Sequence, residues 1–139
     1  MAEPKAYTTP DITVTYDVKR CIHAAECVRR LPQVFDTNQR PWIQPANAGA
    51  NEIAETIQHC PTGALQYTRH DGGSAEPIPA ETTIQVRPNG PLFVRGNVKV
   101  TDANGAVLSD STRAALCRCG QSENKPFCDN THRKIGFKG

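Results

Sequence analysis

Ile12, Val14 and Tyr16 alternate with Thr13 and Thr15, and that period of two predicts a half-buried strand. Residues 1–10 ahead of it are polar and hold Pro4 and Pro10, so they read as a frayed lead-in. A loop at residues 21–27 is expected to enter a short helix near 24–31, closed by Pro32. Trp42 and Ile43 suggest a short extended piece. Ile53, Ile57 and Cys60 recur at helical spacing and predict a second helix, with Asn51 as its cap and Glu52 and Glu55 in its first turn. Leu65 and Tyr67 alternate in a further strand that could pair with the first.

The pattern then lapses. Residues 70–81 are rich in Gly, Pro and small polar side chains and show no apolar period, as a linker does. Beyond it the signal is β: Ile84 and Val86 alternate, Pro88-Asn89-Gly90-Pro91 makes a turn, and Leu92–Val94 and Val98–Val100 read as strands. Asn104-Gly105 marks a hairpin between Val100 and Val107, and Thr131–Lys134 suggests a short helix. The chain is therefore expected to be α+β, with one module at 1–70, a linker at 71–81 and a small β-rich module at 82–139. The second module's 58 residues are few for a self-sufficient core, so it needs a staple.

Composition supplies a candidate. Six of the 139 residues are Cys. The N-terminus lacks a charged-then-apolar leader and no long apolar run occurs, so a soluble cytoplasmic protein with reduced thiols is expected, with no membrane association. Metal ligation then outranks a disulfide framework. The net charge is only +2, and the sparse aromatics are not interleaved with basic residues as in single-strand binders, so no nucleic-acid partner is expected. No nucleophile–base pair or phosphate loop is present, and no enzyme activity is expected.

The densest chemistry is the run from Cys117 to His132, spaced C-x-C-x8-C-x3-H within sixteen residues. Thiolates and imidazole bind iron–sulfur clusters and zinc. The loop between Cys119 and Cys128, with Gly120, Ser122, Asn124 and Pro126, can fold back and bring them together. His132 lies one helical turn after Cys128. The run resembles the signature of CDGSH-type iron–sulfur proteins, matching at Ser122, Pro126, Asp129 and Thr131 as well. It departs at Asn130, where that family usually has Gly; Asn tolerates positive φ, so the turn should survive. The resemblance implies a 2Fe–2S cluster, with Cys117 and Cys119 on one iron and Cys128 and His132 on the other. Ser122 and Asp129 would set the loop's geometry and hydrogen bonding at the cofactor, with Arg118 and Lys125 as exposed charges nearby. Structural zinc is the alternative occupant.

The other three thiols form a second constellation. Cys21-Ile-His-Ala-Ala-Glu-Cys27 is followed far downstream by Cys60-Pro61-Thr62-Gly63-Ala64-Leu65. Bacterial ferredoxins use C-x2-C-x2-C with a distant Cys-Pro. Here Ala24 stands at the middle ligand position. Residues 12–70, including Val34-Phe35-Asp36 and Arg40-Pro41-Trp42-Ile43, resemble the divergent single-cluster ferredoxins. That resemblance implies a ferredoxin-like module with a 3Fe–4S or 4Fe–4S cluster on Cys21, Cys27 and Cys60. Ala24 offers no donor, which favours 3Fe–4S; His23, water or hydroxide could hold a fourth iron. His59 reads as a structural or exposed residue.

Together these readings describe a two-cluster electron-transfer protein with an unidentified redox partner, a reductase or an acceptor. From Arg113 onward six Lys and Arg face two acids, a basic balance that could steer an acidic partner or simply be solvated. Cluster transfer or redox and pH sensing is the alternative within the iron–sulfur class, because a histidine ligand can be protonated and released. A zinc-stabilised interaction module is the alternative outside it. Either a monomer or a homodimer is compatible with a single CDGSH-like motif.

Overall fold

The computed structural model describes residues 5–22 and 24–139. It divides into two compact units. The first comprises residues up to Val18, His23–Cys60 and Ala64–Pro77; the second comprises Lys19–Ile22, Pro61–Gly63 and Ile78–Gly139. Two antiparallel three-stranded sheets and a few short helices make the chain α+β.

In the first unit, β1 (Lys5–Thr8) and β2 (Ile12–Tyr16) precede helices α1 (Glu26–Arg30) and α2 (Ala50–Ile57), and β3 (Leu65–Arg69) closes the sheet in the order β1-β2-β3. The alternation read at Ile12–Tyr16 is real: Ile12 and Val14 are buried, and β2 pairs with β3 from Ile12↔Arg69 to Tyr16↔Leu65. The lead-in expectation is corrected. Lys5–Thr8 is a strand because each of its residues has a partner in β2, from Lys5↔Tyr16 to Thr8↔Thr13. Helix α2 begins at Ala50 with Gly49 as its cap, so Asn51 lies inside the helix rather than capping it. Its inner face carries Ile53 and Ile57 as expected, both fully buried. They join Ile12, Val14, Leu31, Val34, Phe35, Ile43 and Leu65 in one core, with Cys27 and Cys60 packed at its margin.

In the second unit, β4 (Thr83–Val86), β5 (Leu92–Thr101) and β6 (Val107–Leu116) form a meander in that order, followed by helix α3 (Thr131–Lys134). The two strands expected at 92–94 and 98–100 are one strand with a register shift between Arg95 and Val98. Gly96 allows it: its φ is +146°, and a Cβ there would come within 2.4 Å of Thr82 Oγ1. The β5–β6 turn sits at Asn104-Gly105, where the Asp102 carboxylate accepts from the Asn104 and Ala106 N–H groups. The apolar content of this unit is thin. Its buried clusters are Ile22, Ala115 and Cys128, and Val94, Val98 and Ala114. No described helix is long and apolar enough to cross a membrane.

Candidate metal centre

Cys117 and Cys119 follow directly on β6, so the strand fixes where the first pair of thiols starts. The chain then returns beside its own strand end. Leu116 and Phe127 form an isolated antiparallel bridge, the Cys117 N–H donates to the Pro126 carbonyl at 2.8 Å, and the Cys128 N–H donates to the Ala115 carbonyl at 2.9 Å. This is the fold-back that the loop composition predicted. Ser122 holds the loop shut from within: its hydroxyl donates to the Phe127 carbonyl at 2.6 Å and accepts from the Asn124 N–H at 3.0 Å.

Asp129 ties the loop to α3. Its carboxylate accepts from the Glu123 N–H at 2.9 Å, the Thr131 N–H at 3.0 Å and the Thr131 hydroxyl at 2.6 Å. Burial works to raise this carboxyl, but the Thr131 hydroxyl and the two N–H donors outweigh it and hold it below the usual range. Asn130 adopts φ 73°, so the Gly-to-Asn departure keeps the left-handed turn as expected. One turn of α3 then sets His132 back over Cys128.

The four donors lie in two pairs. Cys117 Sγ and Cys119 Sγ are 3.9 Å apart, and Cys128 Sγ and His132 Nδ1 are 3.5 Å apart. Metal–sulfur bonds of about 2.3 Å and metal–nitrogen bonds of about 2.1 Å separate two tetrahedral donors by about 3.5–3.8 Å. Each pair therefore has the span of two ligands on one metal. Among the described residues no three His, Cys, Asp or Glu side chains gather on a single ion-sized site. Two such pairs could hold one metal each, and the four donors drawn together could hold one.

The surroundings suit thiolate donors. Burial would raise the Cys117 thiol, yet the backbone N–H groups of Ser122, Gly120 and Gln121 and the Cys119 thiol pull it below the ordinary range. The Gln121 N–H points at Cys119 Sγ at 3.4 Å, and the Asn130 N–H at Cys128 Sγ at 3.5 Å. Burial pushes the Cys128 thiol up against that last donor. Burial, then the Arg133 charge, push the His132 imidazole below its usual value against Asp129, which favours the neutral ring, the form that can ligate. Cys128 and His132 are 3 % and 8 % exposed. Lys125 is exposed as expected, but Arg118 is not a loose surface charge. Its guanidinium donates to the Gly90 and Arg87 carbonyls, each at 2.9 Å, and lies 5.0 Å from the Phe137 ring centre.

Of the other thiols, Cys27 is in the first turn of α1 and Cys60 follows α2, both half-buried against the first unit's core. Cys21, also half-buried, belongs to the second unit. No disulfide involves any of the six cysteines. His23 lies outside the described residues; His59 is exposed. Ala24 is exposed, and Ala25 beside it takes a left-handed φ of 63° at the start of α1. Sequence reasoning missed Arg20, which is 6 % exposed. It donates to the Thr62 carbonyl at 2.7 Å, the Ser109 hydroxyl at 3.0 Å and the Arg113 carbonyl at 3.3 Å, and its guanidinium stacks over Phe127 at 4.5 Å. No local pattern could have found it, since those partners lie 42 to 107 residues away.

Comparison with known proteins gives two family matches. Residues 7–70 match the model of a divergent 4Fe-4S mono-cluster family, and residues 89–133 match that of the iron-binding zinc finger of CDGSH type. The uncharacterized protein YjdI of Escherichia coli (strain K12) is 35 % identical over 66 residues, covering 48 % of this chain and 86 % of that protein. YjdI of Escherichia coli O157:H7 matches to the same extent.

Proposed function

The chain belongs to the divergent 4Fe-4S mono-cluster family and carries a CDGSH-type iron-binding domain, and from that premise we propose that it is a two-cluster electron-transfer protein. Iron–sulfur binding is what the two matches have in common. The finer assignment is ours: a 2Fe–2S cluster on Cys117, Cys119, Cys128 and His132, and a three-cysteine cluster on Cys21, Cys27 and Cys60 in a ferredoxin-like module. With no thiolate at Ala24, the second cluster would be 3Fe–4S after exposure to air. It would be 4Fe–4S when a non-thiolate ligand holds the fourth iron.

The observation that carries the reading is the pairing of donors at tetrahedral spans, 3.9 Å and 3.5 Å, inside a loop whose N–H groups face the sulfurs. When bound, a cluster of this type accepts and returns one electron. The chain's part is to hold the ligands still and to compensate charge. Ser122 and Asp129 fix the loop, and backbone N–H donors stabilise the thiolate-borne negative charge. Arg118, Arg133 and Lys134 add cationic charge that favours the reduced form.

Burial of Cys128 and His132 favours electron transfer over cluster donation, because a donated cluster needs an exposed, exchangeable ligand. A redox protein of acidic surface is the partner this basic C-terminal segment suits.

Anaerobically purified protein, examined by visible and electron paramagnetic resonance spectra with iron, sulfide and zinc analysis, tests the reading. Two distinct reducible signals and five or six irons per chain are expected from the ligand count. Zinc without sulfide would make the C-terminal site a structural zinc module instead. Rapid transfer of the 2Fe–2S cluster to an apo-acceptor, without reversible one-electron reduction, would favour cluster donation.

A further inference from the structure

Residues Lys19–Ile22 are part of the second compact unit, and the loop carrying Cys119, Cys128 and His132 grips them at three points. Asn124 Nδ2 donates to the Lys19 carbonyl at 3.2 Å. The Phe127 ring stacks on the Arg20 guanidinium. Asn130 Nδ2 donates to the Ile22 carbonyl at 2.6 Å, and the Ile22 side chain packs into a buried cluster with Cys128 and Ala115. Cys21 stands between the two most tightly gripped residues.

Asn130 is the position where the CDGSH-like run departs from Gly. Glycine would meet the φ of 73° with less strain. The Asn side chain also carries a cost that glycine would not, since its Oδ1 is buried with no hydrogen-bond partner among the described residues. What the position gains is the amide donor, and that donor is spent on the carbonyl of the residue after Cys21.

We propose that Asn130 is a positioning residue for Cys21: its amide fixes the Ile22 carbonyl and so couples the C-terminal centre to the segment that presents Cys21. Ordering of residues 128–132 around a loaded C-terminal centre then orders residues 19–22. Cys21 is offered to the N-terminal cluster in a set place once the C-terminal centre is filled. The role of Cys21 as a ligand rests on the function proposed above; the contact between Asn130 and Ile22 does not.

The test compares the full-length protein with Asn130→Gly, both isolated anaerobically. Glycine keeps the positive φ, so the 2Fe–2S visible spectrum should persist. By hydrogen exchange and mass spectrometry, a peptide spanning residues 19–22 should exchange about five- to tenfold faster, the effect of losing roughly one buried hydrogen bond. A peptide from β5 should be unchanged. The paramagnetic signal of the N-terminal cluster should change shape, and a chelator should remove that cluster several-fold faster.

Should Asn130→Gly fail to fold, Asn130→Asp keeps the size and the tolerance of positive φ but replaces the amide donor facing the Ile22 carbonyl with an acceptor, and must give the same selective rise. Equal acceleration in both peptides, or none in either, overturns the proposal. A selective rise in protein that holds no N-terminal cluster upholds the positioning role while removing the cluster assigned to Cys21.

Discussion

At the scale of single residues, the C-terminal site depends on two side chains that touch no metal in the proposed ligand set. Ser122→Ala would leave the buried Phe127 carbonyl and Asn124 N–H without their shared partner, a loss of about 1–2 kcal/mol. Asp129→Asn keeps the size but turns one acceptor into a donor that faces the N–H of Glu123 or Thr131, and should cost about as much. Denaturant unfolding and the half-life of the visible chromophore should both fall in each variant. An unchanged half-life in both would mean that the loop is held by the metal alone. Gly63 is a sharper case. Its φ is +76°, and an added Cβ would lie 2.6 Å from the Arg113 carbonyl oxygen and 2.8 Å from the Arg20 guanidinium. Gly63→Ala should therefore destabilise the protein by about 2–4 kcal/mol, read as a lowered melting temperature. The two donor pairs, the loop contacts of Ser122 and Asp129 and the left-handed turn at Asn130 were legible because their spacing is itself the signal. Arg20 and the anchoring of Arg118 were not, because burial of an arginine is decided by carbonyls that only the folded chain assembles.

At the scale of elements, what the sequence exposes is periodicity and turn chemistry. Strand β2, the inner face of α2 and the β5–β6 hairpin all followed from alternation, helical spacing or Asn104-Gly105. Strand β1 did not, since Lys5-Ala6-Tyr7-Thr8 has no strong apolar alternation and owes its form to pairing with β2. The cap of α2 lies two residues ahead of Asn51: Gly49 takes an extended φ of −73° and ψ of 152° without a side-chain cap, so propensity at Asn51 did not decide. The loop leading into α1 offers a direct experiment. Ala24 is exposed at the ligand position that bacterial ferredoxins fill with Cys. Ala24→Cys should supply a fourth thiolate, raise the iron count of the N-terminal site to four and abolish the 3Fe–4S signal of air-exposed protein. A persistent 3Fe–4S signal in Ala24→Cys would mean that the loop does not present position 24 to the cluster. Four irons already present in the wild type and lost in His23→Ala would make His23 the fourth ligand.

At the scale of the whole molecule, the two compact units differ in what holds them together. The first has nine buried residues in one contiguous core. The second has two separate clusters of three, one of which includes Cys128. Sequence length alone pointed to this weakness in residues 82–139, but not to the recruitment of Lys19–Ile22 and Pro61–Gly63, which depends on Arg20 and Asn130 reaching carbonyls distant in sequence. A three-stranded meander with so little apolar burial is marginal on its own. Bonds from Cys117 and Cys119 at one end of the loop and from Cys128 and His132 at the other would close it, so that metal binding supplies folding free energy. Removing iron with a strong chelator under reducing conditions should therefore act unevenly. Amides of β5 and β6 should lose protection from hydrogen exchange by two or more orders of magnitude, as global opening of a marginal unit implies. Amides of β2 and β3 should stay protected by the core that contains Ile12, Val14, Ile53 and Ile57. Restoring iron and sulfide should recover the protection of β5 and β6, whereas zinc in their place should recover it only if four donors can gather on one ion. Retention of full protection in the metal-free hairpin would show that the meander stands without its cluster and that its thin core suffices.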